Sequence, residues 1–304
     1  MNFANLLTTA ERVLERIEAM LPPTPDEIDW SAPAYRWRSR SGLLAHGWLE
    51  AVPQPHRITL DDLQGVDAQK LRIEQNTQQF VAGRPANNVL LTGARGTGKS
   101  SLVKAVLQRF CDDGLRLIEV DKMDLVHLPD IVASIDGRPE KFIIFCDDLS
   151  FEAGEPGYKA LKSVLDGSLT GMPDNLLVYA TSNRRHLIPE RMTENLETTH
   201  GDDGEIRPGD TTEEKISLSE RFGLWLSFYP FDQDHYLAIC AHWLTEFGLS
   251  QRQITAARGD ALRWALSRGS RSGRVAWQFA RDYAGKATPV AKVGDGGTAR
   301  RKKK

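Results

Sequence analysis

The sequence predicts an α/β fold built on a five-stranded parallel sheet, followed by a small α-helical domain. Three observations carry this expectation. Five short apolar runs recur at 88–92, 115–120 (LRLIEV), 142–147 (FIIFCD), 175–181 (NLLVYAT) and 224–229 (LWLSFY). Each is continuous rather than alternating, as expected of parallel strands covered on both faces. Strand and helix patterns alternate between them, the repetition of a layered α/β fold. After Phe231 the pattern turns wholly helical.

In chain order, residues 1–56 come first. Over 3–21, Leu6, Ala10, Val13, Leu14, Ile17 and Leu21 fall on one stripe of an amphipathic helix, ended by Pro22 and Pro23. Residues 24–55 read as irregular, with Trp30, Tyr35, Trp37 and Trp48 among arginines. Aromatics beside arginines can bind single-stranded nucleic acid. The favoured reading is a strap anchored onto a neighbouring surface. A core is expected over 57–231, opening with a lead-in strap and a helix in ITLDDLQGVDAQKLRIEQNTQQFVAG. Within it, 190–215 carries nine carboxylates against Arg191, Arg207 and Lys215, the composition of a solvated acidic insertion. Over 232–285, three helices are marked by Tyr236, Cys240, Trp243, Leu244 and Phe247, by Ala261, Leu262, Ala265 and Leu266, and by Val275, Ala276, Phe279 and Tyr283. The tail 286–304 ends in RRKKK and reads as an unstructured basic run.

Composition bounds the function. An apolar content of 40% over 304 residues supports a sizeable core. A formal net charge of −2 gives no global attraction to nucleic acid. Cys111, Cys146 and Cys240 sit in apolar patterns, so buried thiols are expected rather than disulfides or a zinc site. MNFANLLTTAERVLER lacks a basic region followed by an apolar core, and no 18-residue apolar run occurs. The expectation is a cytoplasmic protein with no secretory signal and no membrane span.

The chemistry centres on Gly93-Ala94-Arg95-Gly96-Thr97-Gly98-Lys99-Ser100, which reads GxxxxGKS. A strand pattern precedes it. Helical spacing at Leu102, Val103, Val106, Leu107 and Phe110 follows it. Strand, glycine-rich turn and helix is the arrangement of a phosphate-binding loop. Its glycines let backbone N–H groups close on phosphate oxygens. Lys99 brings a point charge to the β- and γ-phosphates, and the Ser100 hydroxyl is a ligand for Mg²⁺. Gly93 to Ser101 is therefore the predicted ATP-binding segment.

Further residues complete a constellation. FIIFCDD is an apolar strand ending in two acids. At the C-terminal edge of a parallel sheet, such acids face the ligand crevice. Asp147 is the predicted Mg²⁺ ligand. Asp148 stands where a general base would polarise water, with Glu152 as the alternative. Asn183, ending Ala180-Thr181-Ser182-Asn183, can orient that water. Arg221 precedes a buried strand in SLSERFGLWLSFYPF, where it can reach a neighbouring subunit's nucleotide as an arginine finger; the bland alternative is a surface salt bridge, with Glu220 for example. Arg274 opens the last helix and is the first candidate for an arginine folding back on the phosphates, with Arg271 second.

Phosphate loop, double acid, asparagine, arginine and helical lid occur in an order that resembles AAA+ ATPases over roughly 57–285. SLSERFGLWL resembles the replication-initiator and helicase-loader branch. PANNVLLTGARGTGKSSLVKA, RLIEVDK, FIIFCDDLSFE, YKALKSVLDGS, YATSNRRHL and EKISLSERFGLWLSFYPFDQD are similar to an uncharacterised bacterial family of AAA+ proteins of unknown function. The resemblance implies an AAA+ fold, ATP and Mg²⁺ as cofactors, a homo-oligomer, and a protein or nucleic-acid client. DKMDLVHLPDIV lacks the aromatic and glycine of a protein-threading loop, which points to a loader or remodeller. A slow ATP-gated assembly switch is the alternative. A small-molecule kinase is disfavoured by the distant Arg221 segment and the helical lid.

Overall fold

The computed structural model describes residues 3–18, 28–40, 46–151, 155–167, 172–183, 199–200, 206–207 and 218–287. They belong to two compact units, Met1–Pro230 and Phe231–Lys304.

The first unit is built on a seven-stranded sheet, where five strands were expected. Its strands are β1 (Ala34–Arg40), β2 (His46–Val52), β3 (Val89–Gly93), β4 (Leu115–Glu119), β5 (Lys141–Cys146), β6 (Leu176–Ser182) and β9 (Leu224–Phe228). The short strands β7 (Thr199–His200) and β8 (Ile206–Arg207) pair separately. The sheet order is β2-β1-β4-β5-β6-β3-β9. All of its pairings are parallel except β1 with β2. The class is therefore the predicted one, and the five apolar runs are its central and β9-edge strands.

The two extra strands correct the reading of 24–55 as an irregular strap. Tyr35 and Trp37 alternate with Arg36 and Arg38, so β1 has one apolar face and one charged face. Tyr35, Trp37 and Leu49 are buried in a cluster with Ile118, Phe142 and Ile144. Burying each such side chain is worth roughly 1.5–3 kcal/mol. Trp30 packs beside it, its ring 5.4 Å from Tyr35 and 6.0 Å from Phe142. The arginines are paired, Arg36 with Glu119 at 2.6 Å and Arg38 with Glu50 at 2.7 Å. Tyr35 and Trp37 are thus core residues and not stacking platforms for nucleic-acid bases.

Helices α2 (Asp67–Val81), α3 (Lys99–Phe110), α4 (Leu128–Ile135) and α5 (Pro156–Asp166) accompany the sheet, and α1 (Phe3–Glu18) precedes it in the chain. Helix α3 packs on β4 and β6 and against α2. Helices α4 and α5 join the cluster around Trp37 through Leu128, Ile131, Ile135, Tyr158 and Leu161. On the α2 side, Tyr179 is fully buried, its hydroxyl 2.8 Å from that of Thr77 and 3.1 Å from Asn76 Nδ2. Cys146 and Cys240 are buried and Cys111 is partly exposed, which corrects the expectation of three buried thiols; all three are free.

The second unit holds α6 (Gln233–Glu246), α7 (Gln251–Ser267) and α8 (Gly273–Ala287), which pack on one another. Asp232 caps α6 by accepting from His235 N at 2.8 Å. A capping box of Ser250 and Gln253 starts α7. Buried Tyr236 donates to Ala261 O at 3.1 Å, tying α6 to α7. The acidic insertion lies outside the described residues except for β7 and β8, and so does the tail from residue 288.

Candidate nucleotide-binding site

The site is assembled where β3, β5 and β6 end side by side. Parallel registers Thr92↔Ser182 and Cys146↔Ala180 bring Gly93, Asp147 and Asn183 to one sheet edge. This is the edge at which ligands enter open α/β sheets.

The loop from Gly93 to Gly98 needs its glycines. Gly93 has φ +128°, and a Cβ there would stand 1.9 Å from the carbonyl oxygen of Phe228 on β9. Ala94 N donates to that same oxygen at 3.2 Å, so the loop starts pinned to β9. Gly98 takes φ +99° at the N-cap of α3, which aims the first-turn N–H groups into the loop. Thr97 Oγ1 closes the turn on Ala94 O at 2.8 Å.

Lys99 is nearly buried, at 6% exposure. Its ammonium donates to Gly93 O and Ala94 O at 2.8 Å each, and to Asn183 Oδ1 at 3.0 Å. Burial pushes its pKa below the ordinary lysine value, while Asp148 and Asp147 pull the other way. The cation faces a ring of oxygens that phosphate oxygens can replace.

The carboxylates are held by hydroxyls. Asp147 Oδ1 accepts from Ser100 Oγ at 2.6 Å and from Thr181 Oγ1 at 2.5 Å. Thr181 Oγ1 in turn accepts from Asp148 N at 2.9 Å. Ser100 Oγ and Asp147 are a hard-oxygen pair that fits Mg²⁺. Asp148 has φ +53°, a left-handed conformation costly for a residue with a Cβ, about 1–2 kcal/mol. It is stabilised by the bond to Thr181 and by the next residue, since Leu149 N donates to Thr181 O at 2.7 Å. Asn183 Nδ2 donates to Asp148 Oδ1. Arg95 reaches toward Asp148 Oδ2, at 4.0 Å, and both side chains are largely exposed.

Asn183 therefore bridges Lys99 and Asp148. Of the predicted residues, the structure brings together Gly93, Lys99, Ser100, Asp147, Asp148, Asn183 and Arg95. Ser101 follows in the first turn of α3. Arg221 lies just before β9, where its guanidinium bonds Asp166 at the end of α5, not Glu220. Arg274 is exposed at the second position of α8 in the other unit, and Arg271 is exposed before the helix. Glu152, Arg184 and Arg185 lie outside the described residues. Sequence reasoning missed Thr181 as the link between the two aspartates, and Asp166 as the partner of Arg221. A hydroxyl ending the strand beside a double acid is the signal for Thr181; nothing local marks Asp166, 55 residues before Arg221.

A cleft of about 520 Å³ lies elsewhere in this unit, lined by Thr59, Asp61, Lys70, Glu74 and Arg109 among others. It contains none of the predicted site residues. The polar convergence at the strand ends, not the size of that cleft, marks the candidate site.

The fold is that of AAA+ P-loop proteins. The chain belongs to the family described as "Protein of unknown function (DUF815)", whose profile matches residues 31–287. Among curated proteins, none matches the chain. Of solved structures, ORC1 of Aeropyrum pernix in complex with DNA is similar at 18% identity and TM-score 0.50, over 74% of this chain and 60% of that one. A RuvB variant of Thermotoga maritima is similar at 15% identity and TM-score 0.47, over 73% of this chain and 63% of that one. The chain thus spans less than two thirds of either protein, and at these identities the likeness concerns the fold alone. No helix among the described residues is long and apolar enough to cross a membrane.

Proposed function

We propose that this chain is a Mg²⁺-dependent ATPase that hydrolyses ATP to ADP and phosphate, working as an assembly of its own copies to load or remodel a macromolecular client. The observation that carries the reading is the connected cluster of Lys99, Asn183 and Asp148 beside the Ser100–Asp147–Thr181 triad. In this reading the loop N–H groups and Lys99 bind the β- and γ-phosphates. Ser100 and Asp147 would hold Mg²⁺, which would neutralise phosphate charge there. Asp148 accepts the proton of the attacking water, and Asn183 orients that water. Transfer of the Lys99 ammonium to a phosphate releases Asn183 Oδ1, so the same asparagine couples phosphate binding to the placement of Asp148.

Arg221 is assigned to the nucleotide of a neighbouring copy, exchanging Asp166 for phosphate oxygens there. Arg274, or Arg271, is assigned to the nucleotide from the helical lid of 232–285, with the ATPase core over 57–231. The segment after β4 supports a loader or remodeller over a threading machine. It exposes Met123 and Val126 and contains no aromatic residue and no glycine. A nucleic acid or a protein assembly is the client class.

A slow assembly switch is the second reading, favoured by the short Asp148 side chain being tied to Asn183. Phosphate release, measured across protein concentration with and without DNA or a protein client, separates the two. A loader turns over and responds to its client. A switch assembles with ATP and releases little phosphate. No ATP binding under any condition contradicts both.

A further inference from the structure

Arg221 stands on a turn whose backbone is fixed by its surroundings. Leu218, Ser219 and Phe222 are buried beside it. Arg221 N and Phe222 N close the turn on Leu218 O and Ser219 O, at 3.3 and 3.1 Å. Trp225 Nε1 donates to Ser219 O at 3.0 Å, and a Cβ at Gly223 would stand 2.3 Å from Asn87 Oδ1. Arg221 therefore changes partners by moving its side chain alone. The turn leads into Leu224, which pairs with Val89 at the start of β3, whereas the phosphate loop leaves the other end of that strand at Gly93. Four strand steps, about 13 Å, separate those ends, a distance that supports a role at another copy's nucleotide.

Within its own chain the guanidinium Nε donates to Asp166 Oδ1. Asp166 is the last residue of α5. Helix stability asks for no acid there, because a carboxylate on the last turn faces the negative end of the helix dipole. Gly167, at φ +72°, ends the helix. The Arg221 side chain is only 22% exposed and that of Asp166 43%, so the pair is screened less than a fully exposed one. A carboxylate so placed competes with phosphate oxygens for the same guanidinium. We propose that Asp166 is a positioning residue that holds Arg221 back in its own chain and so sets the protein concentration at which copies engage around ATP, an assignment that rests on reading Arg221 as acting on another copy's nucleotide. The pair is present in a separate chain and is broken in the engaged one. Removing it therefore favours engagement, by roughly two- to fivefold for a pair of this exposure.

The test is Asp166→Asn in the full chain, which keeps the shape and the acceptor oxygen and removes the charge. Association is read by sedimentation with ATP and Mg²⁺ in an Asp148→Asn background, and phosphate release is read across protein concentration with Asp148 intact. Asp166→Asn lowers the dissociation constant roughly two- to fivefold. The concentration of half-maximal specific activity falls by the same factor, and kcat at saturating protein is unchanged. Asp166→Glu restores both midpoints toward wild type. In an Arg221→Ala background Asp166→Asn changes nothing, because its effect passes through that arginine. If Arg221→Ala weakens association while Asp166→Asn leaves it unchanged or weaker, or lowers kcat, the proposal alone is overturned and Asp166 is a structural or aiming partner. If Arg221→Ala associates as tightly as its parent, or no ATP-dependent association occurs, the reading of Arg221 falls and the proposal with it.

Discussion

Lys99→Ala probes the site at its most connected atom. The substitution removes an ammonium that has three oxygen partners and 6% exposure. In the free protein two effects oppose each other. Three charge-assisted hydrogen bonds are lost, and the burial that holds the lysine pKa down is relieved. The carbonyls of Gly93 and Ala94 sit in a loop flanked by exposed Arg95, where water can replace the lost donor. The net change in stability is therefore small, about 1 kcal/mol or less, which shifts the melting temperature by about 4 °C at most. With nucleotide there is no such compensation. A polyanion loses a charged partner in a desolvated site, at a cost of roughly 2–5 kcal/mol. That is about 30- to 4,000-fold in Kd. Calorimetric titration with ATP and Mg²⁺ reads the affinity, and a thermal melt reads the fold. Unchanged affinity in a folded variant refutes the phosphate-binding assignment. A collapse of the melt shows instead that Lys99 is a structural residue.

The other substitutions test separate parts of the account. Gly93→Ala places a methyl against Phe228 O at a φ reserved for glycine; strain and overpacking together cost roughly 2–5 kcal/mol, and a melt lowered by less than about 4 °C contradicts the close approach. Gly47→Ala drives a Cβ into the buried Trp37 ring, 1.9 Å from its nearest atom, so the hairpin of β1 and β2 loses roughly 1–3 kcal/mol, read in the urea midpoint. Asp148→Asn keeps ATP binding and abolishes phosphate release, whereas Asp147→Asn loses the Mg²⁺ dependence of binding. Wild-type turnover in Asp148→Asn moves the role of base to Glu152.

Much of the fold was legible because parallel strands buried on both faces leave continuous apolar runs. Val89–Leu91 and Phe142–Cys146 are fully buried runs of that kind. The hairpin was missed because it alternates. Tyr35 and Trp37 face the core while Arg36 and Arg38 pair with carboxylates on the other face, and the arginines masked the period of two. At the site, the convergence of the loop, Asp147, Asp148 and Asn183 was readable because each stands at or just past the C-terminal end of an apolar run. Their wiring was not. The bridge made by Asn183 and the Thr181 link depend on which strands lie adjacent, and the order β5-β6-β3 is a property of topology. The pairing of Arg221 with Asp166 spans 55 residues and leaves no local pattern.

The central claim is that ATP is hydrolysed between copies of this chain, with Arg221 of one completing the site of another. Mixing Arg221→Ala with Asp148→Asn tests it most directly. Each variant alone loses most of its phosphate release, by ~10³–10⁵ where the arginine is absent. In mixed assemblies an intact Asp148 site meets an intact Arg221 from its neighbour, so the mixture regains activity and specific activity rises with protein concentration. A mixture no more active than its parts, with wild-type specific activity constant on dilution, contradicts the account and leaves a site that works within a single chain.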